Sequence, residues 1–296
     1  MSPRLEVLTT GALVLVEDDG RPGLAAVGVG RSGAADRGSY RLGARLVGHP
    51  PGRAALEVLL GGLTLRARGR VTIALTGAPA PATVDGRTVA HAGLVDVPDG
   101  ATLALGMPAT GLRTYLSVRG GIDVPPVLGS RSTDTLAHLG PPPVQVGDVL
   151  PVGPPGRDFP TVDHAAHQPS GTGDPAVLEV LPGPRAAWAG GWATGLGGLL
   201  GVGRVVSADS DRAGVRLTGA PVQRAAQWRD VELPSEGMVR GAVQVPPGGE
   251  PVLFLADHPV TGGYPVVAVL TASACDRAAQ LRPGDAVRLV RATPRD

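Results

Sequence analysis

The 296-residue chain contains no lysine and no asparagine. All 27 of its basic residues are therefore arginine. That excludes mechanisms built on a lysine: a P-loop Lys on phosphate, a Schiff base, a Ser-x-x-Lys acyl-enzyme, or a lysine that itself carries biotin. Cysteine occurs once, as Cys275, so no internal disulfide can form. With three Trp, three Tyr and two Phe, the core must be aliphatic, built from Val, Leu and Ala. Net charge is only +1 and no basic run exceeds two adjacent residues. The footprint that nucleic-acid backbones require is absent, and nucleic acid is not expected as a partner. No apolar stretch approaches the ~20 residues of a membrane span, and residues 1–20 lack a signal-peptide pattern. The expectation is a cytoplasmic protein with no membrane partner.

What the chain has in quantity is Gly (45) and Pro (30), which interrupt long helices and long uniform strands. Between them recur short apolar runs: 54–60, 63–67, 71–76, 102–105, 114–118, 177–181, 239–245, 252–256, 266–271 and 286–290. This spacing predicts an all-β protein with tight turns. One short helix is expected in the first half, capped by Asp36 and running to Val47, with Leu42 and Leu46 on one face. Residues 186–200 are ambiguous, because Ala and Leu favour helix there while five glycines oppose it.

The chain also resembles itself. Leu75-Thr-Gly-Ala-Pro79 returns as Leu217-Thr-Gly-Ala-Pro221, Gly120-Gly121 as Gly262-Gly263, and Gly147-Asp148 as Gly284-Asp285, in one order and at offsets of 142, 142 and 137 residues. The pattern predicts an internal duplication: a domain over 1–152, a Pro- and Gly-rich linker over 153–175, and a second domain over 176–296.

Gly28-x-Gly30-x-x-Gly33, trailed by Glu57, matches a dinucleotide fingerprint. The repeated strand-helix-strand units that would build the crevice are missing, so a Gly-rich loop in a β-protein is expected instead. Asp163, His164 and His167 form a D-H-x-x-H cluster in the linker, with no rigid element to fix coordination, and no metal site is predicted. Cys275 has no nearby helix start or flanking histidine and reads as a buried small hydrophobe. Four clusters remain where Gly and polar residues meet at strand ends: Asp18–Asp36, Gly129–Asp134, Ser210–Leu217 and Ser235–Pro265. Arg21, Arg131 or Arg212 could fork onto a carboxylate or phosphate, and Asp18, Asp36, Glu236 and Asp257 are candidate acids or bases. Together they fit a site for a small polar anion.

These clusters, in this order, resemble the family that holds the C-type 5-oxoprolinase subunits and the biotin-dependent carboxyltransferases, also called the KipA or allophanate-hydrolase-subunit-2 family. The resemblance is carried by Asp19-Gly-Arg-Pro-Gly23, Gly33-Ala-Ala-Asp36, Arg45-Leu-Val-Gly48, Leu56-Glu57, Gly111-Leu-Arg-Thr-Tyr-Leu116, Gly120-Gly-Ile-Asp-Val-Pro125 and Gly129-Ser-Arg-Ser-Thr133. In the second half it is carried by Ser210-Asp-Arg212, Ser235-Glu-Gly237, Gln244-Val-Pro246, Asp257, Thr261-Gly-Gly-Tyr-Pro265 and Leu281-Arg-Pro-Gly-Asp285. It implies two tandem cyclophilin-like β-barrels. It also implies a subunit of an ATP-dependent 5-oxoprolinase that opens 5-oxo-L-proline to L-glutamate with A- and B-type subunits. ATP would act in the complex, where another subunit could bind it, and biotin would not be attached to this chain. A carboxyltransferase of the urea carboxylase kind, fed by a carrier on another chain, and a regulatory partner of a sensor-kinase inhibitor are the alternatives. Departures from the family pattern are Glu17, Gly43-Ala44, His49, the run Leu139-Gly-Pro-Pro-Pro143, and His258.

The resemblance places the reactive centre in the second half. Gln244 is expected to orient the substrate amide, Asp257 to handle protons or position a partner, and Tyr264 to form a polar aromatic wall. Gly262 and Gly263 are expected to present backbone N–H groups to an oxyanion or phosphate. Arg21, Asp36, Arg131, Ser132, Thr133, Arg212, Ser235, Glu236 and Thr261 are expected to bind substrate with them.

Overall fold

Alternating patterns such as Leu63-Thr-Leu-Arg-Ala-Arg68 bury every second residue, and strands built this way dominate the computed structural model, which describes residues 2–50, 52–156, 162–166 and 174–293. The chain divides into two units, Met1–Pro22 with Arg31–Ser170, and Gly23–Gly30 with Gly171–Asp296.

In the first unit the strands are β1 (Arg4–Thr10), β2 (Leu13–Glu17), β3 (Ala55–Leu59), β4 (Leu63–Arg68), β5 (Val71–Gly77), β6 (Ala82–Val84), β7 (Arg87–Thr88), β8 (Leu94–Val97), β9 (Thr102–Leu105), β10 (Arg113–Val118) and β11 (Val149–Pro151). They form a six-stranded sheet, β11-β1-β4-β9-β6-β7, and a five-stranded sheet, β2-β3-β10-β5-β8, both antiparallel. Leu5, Val7, Leu63 and Leu65 from one sheet and Val16, Val58, Ile73, Leu75 and Leu116 from the other make one aliphatic core. Helix α1 (Arg37–Leu46) is the helix expected from the sequence, with Asp36 as its N-cap. It packs on β5 and β10, and an added Cβ on Gly43 would sit 2.5 Å from Ser117 Oγ, so this close approach requires glycine.

The second unit contains β12 (Ala176–Pro182), β13 (Gly203–Val206), β14 (Gly214–Thr218), β15 (Glu236–Gly237), β16 (Ala242–Gln244), β17 (Val252–Phe254), β18 (Thr261–Gly262), β19 (Val266–Leu270) and β20 (Ala286–Arg291). Seven of them close a barrel in the order β12-β19-β16-β17-β14-β13-β20. Closure removes the unpaired edges that an open sheet of this size would expose. The short pair β15-β18 stands outside the barrel sheet.

Two expectations change. A second helix, α2 (Ala272–Ala278), follows β19, capped by Thr271, whose side chain accepts from Ala274 N–H. Among the described residues the protein is therefore mostly β with two α-helices, and Cys275 does lie beside a helix start, buried in the first turns of α2. The ambiguous stretch 186–200 becomes a 3₁₀ turn (Ala186–Ala189) followed by further turns, because its glycines take up positive φ.

The repeated motifs have separate outcomes. Gly147-Asp148 and Gly284-Asp285 make the same turn: glycine φ of 91° and 90°, the Asp carboxylate accepting at 2.8 Å from the N–H three residues earlier, and the Gly N–H donating at 2.9 Å to Val7 or Val206. The pentapeptide repeat ends β5 and β14, which hold different places: β5 lies between β10 and β8, β14 between β13 and β17. Within the expected linker, His164 bridges to Gly93, and Leu94 N–H donates to the Asp163 carbonyl at 2.8 Å. His167 lies outside the described residues.

Candidate functional site

In the first unit the polar clusters at strand ends are bound to one another. Asp18, buried at the end of β2, accepts from Gly20 N–H (2.8 Å), from the Ser130 and Ser132 hydroxyls (2.6 Å each) and from Arg131 N–H (2.6 Å). A carboxylate holding four donors serves as the tie between the loops at 18–21 and 129–133. The expectation that Arg21 and Arg131 fork onto an anion meets a different arrangement. Arg21 is buried and gives Nη2 to Ser132 carbonyl (2.5 Å), while Arg131 gives Nε to Val124 carbonyl (2.6 Å) and Nη2 to Asp123 (2.8 Å). Thr133 donates its hydroxyl to Pro141 carbonyl (3.0 Å).

Asp36 is spent as the helix cap, accepting from Ser39 N–H (2.9 Å) and Ser39 hydroxyl (2.7 Å). Glu57 accepts from Arg113 (3.1 Å), Tyr115 hydroxyl (2.7 Å) and Ala35 N–H (3.0 Å), a buried network on β3 and β10 rather than a ribose contact. Burial, with Glu57 and Asp36 beside it, holds the Tyr115 phenol well above its ordinary range, so it stays protonated and can donate.

In the second unit Arg212 and Asp257 form a bidentate ion pair (Nε to Oδ2 2.9 Å, Nη2 to Oδ1 3.2 Å), reinforced by Asp257 N–H on Arg212 carbonyl at 3.1 Å. Their side chains are 4% and 0% exposed. Neither the anion-binding role expected of Arg212 nor the proton-handling role expected of Asp257 matches that geometry, since both groups face each other out of solvent. His258 next to them turns Nδ1 to Pro259 carbonyl (2.8 Å).

The polar residues that stay open gather around β15, β16 and β18. Gln244, 5% exposed at the end of β16, donates Nε2 to Tyr264 carbonyl at 3.1 Å. Only the amide nitrogen can face a carbonyl, so Oε1 is directed the other way as an acceptor. Gly262 pairs with Glu236 in β15, and an added Cβ on Gly262 would lie 2.7 Å from Gln244 Nε2 and 3.1 Å from Met238 Sδ. Glycine is thus required for Gln244 to reach its position. Gly263 and Thr261 are exposed, Tyr264 is 46% exposed, and Ser235 is exposed just before β15.

Arg185 is not among the expected site residues; its guanidinium forks onto both carboxylate oxygens of Glu236, and its N–H anchors to Val266 carbonyl (2.9 Å). That partner lowers the Glu236 carboxyl below its ordinary range and raises Arg185, so Glu236 is an anion at neutral pH and does not serve as a general acid there. Nothing in the sequence marks Arg185, which follows a Gly-Pro turn 51 residues from its partner. Met238 escapes notice for a plainer reason, since a lone Met reads as core. Among the described residues no group of three His, Cys, Asp or Glu is placed to hold a metal ion, and no helix is long and apolar enough to cross a membrane.

The chemical capacity of this face is amide recognition. It offers the carboxamide oxygen of Gln244 for an N–H, the backbone N–H of exposed Gly263 for a carbonyl oxygen, and the part-exposed Tyr264 ring.

Comparison with known proteins agrees over nearly the whole length. Residues 27–291 match the family model described as carboxyltransferase domain, subdomain A and B. The C-type 5-oxoprolinase subunit of Escherichia coli (strain K12) is 33% identical over 299 residues, covering 97% of this chain and 90% of that protein. The urea amidolyase of Saccharomyces cerevisiae is 31% identical over 307 residues, covering 97% of this chain but 16% of that protein. Among solved structures, TTHA0988 superposes with a TM-score of 0.86 at 32% identity, covering 98% of this chain and 56% of that one. The K. lactis urea amidolyase superposes with a TM-score of 0.86 at 29% identity, covering 99% of this chain and 19% of that one. The chain therefore spans little more than half of one solved relative and under a fifth of the other.

Proposed function

The chain belongs to the carboxyltransferase domain family, subdomain A and B, and on that premise we propose that it is the amide-recognising subunit of an ATP-dependent 5-oxoprolinase. In that reaction the lactam C–N bond breaks, water supplies the oxygen that completes the new carboxylate, and the ring nitrogen takes up the protons that make it the amine of L-glutamate. One observation carries the reading: Gln244 is buried, fixed through Nε2 on the Tyr264 carbonyl at the Gly262-Gly263 turn, which leaves its Oε1 as an acceptor. A lactam presents an N–H and a C=O on adjacent atoms. Gln244 Oε1 would take the first and the Gly263 N–H the second, stabilising charge as it develops on oxygen. Tyr264 packs against the ring, and Thr261, Ser235 and the Glu236–Arg185 pair form the rim. Asp257 and Arg212 act by holding the turn that leads into β18.

ATP supplies the driving force, and this chain's residues do not suit its phosphates. There is no lysine, and the three arginines expected to grip an anion are engaged with backbone carbonyls or with carboxylates. We assign ATP to a partner subunit of A or B type. The same reading takes the units as duplicated cyclophilin-like barrels, a duplication that the shared Gly-Asp turn supports, and takes the complex as cytoplasmic.

The test is 5-oxoproline-dependent ATP turnover by the reconstituted subunits with Gln244→Leu. Removing an acceptor used on the reacting amide is expected to lower turnover by about 10²-fold, roughly 2.7 kcal/mol. Unchanged turnover would overturn the assignment. The match to urea amidolyases favours a second reading, carboxyl transfer to a urea-like amide from biotin on another chain. Inhibition of the reconstituted reaction by avidin would select it.

A further inference from the structure

A cavity of about 260 Å³ opens in the second unit between the segment 221–229 and the loop 245–249, Val-Pro-Pro-Gly-Gly. Its lining contains Arg224, Arg229 and Gln223 and no acidic residue. Arg224 is held in place: its guanidinium lies 5.2 Å from the Trp188 ring, Trp188 stacks on Trp228 at 4.9 Å and 9°, and one Nη bends back to the carbonyls of Trp228, Arg229 and Val231 at 3.3–3.4 Å. Arg229 is exposed, and among the described residues its guanidinium has no hydrogen-bond or ion-pair partner. The opposite wall is equally fixed. Val222 N–H donates to Gly249 carbonyl (2.8 Å), Gly249 N–H to Pro246 carbonyl (2.9 Å), and Gly249 has φ +79° with no room for a Cβ against Pro221. Gly248 beside it has nothing within 4 Å of where a Cβ would stand, so its backbone faces open space.

Arg21, Arg131, Arg185 and Arg212, the arginines at the strand-end clusters and beside β15, are all engaged. Two guanidiniums on one cavity wall, one ordered by stacking and one unpaired, with no carboxylate opposite, are an arrangement that an anion completes. Pockets that hold drug-sized ligands run to roughly 300–1,000 Å³, so this one suits a smaller molecule.

We propose that this cleft is a second ligand site that binds a small oxyanion, the carboxylate of an organic acid or a free phosphate, on Arg224 and Arg229. The site stands on its own residues and does not rest on the role given to Gln244. Isothermal titration of the full chain with inorganic phosphate and, separately, with 5-oxo-L-proline, at matched ionic strength, tests it. Tryptophan fluorescence reports alongside, because Trp188 and Trp228 adjoin Arg224. Saturable binding of either probe is expected, with Arg229→Gln weakening it at least tenfold and Arg87→Gln, on an exposed arginine of the first unit, leaving it unchanged. Gly248→Leu, at a position without positive φ, should abolish binding by filling the mouth while the melting temperature holds. Which probe binds names the source, carboxylate or phosphate. Absence of saturable binding of both, or equal binding by wild type and Arg229→Gln, overturns the proposal.

Discussion

Asp257→Asn separates a structural from a chemical role for the residue that sequence motifs made the leading acid–base candidate. In the structure the carboxylate spans both Nε and Nη2 of Arg212 at 2.9 and 3.2 Å, with side-chain exposures of 0% and 4%. An asparagine keeps the shape but offers one acceptor where two are needed, and turns its NH₂ toward a guanidinium N–H. Arg212 then stays buried without the carboxylate that it forks onto. Breaking a buried pair from one side costs about 3–5 kcal/mol. For a unit of this size that corresponds to a fall in melting temperature of roughly 10–20 °C. Thermal unfolding by circular dichroism reads this directly. Replacing both partners, Arg212→Met with Asp257→Leu, should recover most of the loss, because no unpaired charge remains. A melting temperature within about 2 °C of wild type, combined with lost turnover in the reconstituted complex, would refute the reasoning and return Asp257 to the chemistry.

Two further outcomes follow from other contacts. His49 Nε2 accepts from Gly120 N–H at 2.6 Å, and burial, together with Arg53 and Arg119, pulls its pKa down to about 4. The unfolded chain therefore binds a proton that the folded one refuses between pH 6.5 and about 4, and stability should fall as pH drops through that window, by no more than about 3 kcal/mol. His49→Gln, which can still accept from Gly120, should flatten that part of the stability-against-pH curve, and parallel curves for the two proteins would exclude the effect. Gly262→Ala places a methyl 2.7 Å from Gln244 Nε2, so turnover should drop by at least tenfold while stability changes by about 1–2 kcal/mol. Full activity in this variant would mean that the orientation of Gln244 is immaterial.

Local signals are legible where the physics is local. Asp36 caps α1 as expected, and the apolar runs at 63–67, 71–76 and 102–105 each form a strand within a residue or two. Helix α2 is hidden because Ala-Ser-Ala-Cys reads as small core filler, although Thr271 stands ready as its cap. Strands β1 and β2, absent from the expected runs, are separated only by Gly11 and Ala12, and Gly11 takes positive φ there. The candidate site is legible as a region but not as a set of roles. Gly and polar residues at strand ends say where loops gather; they do not say which carboxylate meets which arginine. Asp18 finds Ser132 at a separation of 114 residues, Arg21 finds the Ser132 carbonyl at 111, and Arg212 finds Asp257 at 45. Those partners are fixed by sheet closure, a property of the whole fold.

The absence of lysine explains why arginine misleads in one direction. A guanidinium has five donors in a rigid fork and is less strongly hydrated than an ammonium, so it can be taken out of water if carbonyls or carboxylates receive it. With every cation an arginine, the chain uses several this way: Arg21, Arg113, Arg204 and Arg212 are all at most 4% exposed. Arg204 lies on the carbonyls of Ala220 and Gly198 (2.6 and 3.1 Å) with no carboxylate partner among the described residues, and burial lowers its pKa from the ordinary range. Each fastens two segments of the chain together, loop to loop, loop to strand or strand to strand, and the chain has no asparagine to share that work. An arginine beside a glycine-rich turn is therefore, in this composition, first a staple. The ones that carry information about ligands are those the fold leaves unpaired against an open cavity, and on that criterion Arg229 outranks all three arginines that the motifs single out.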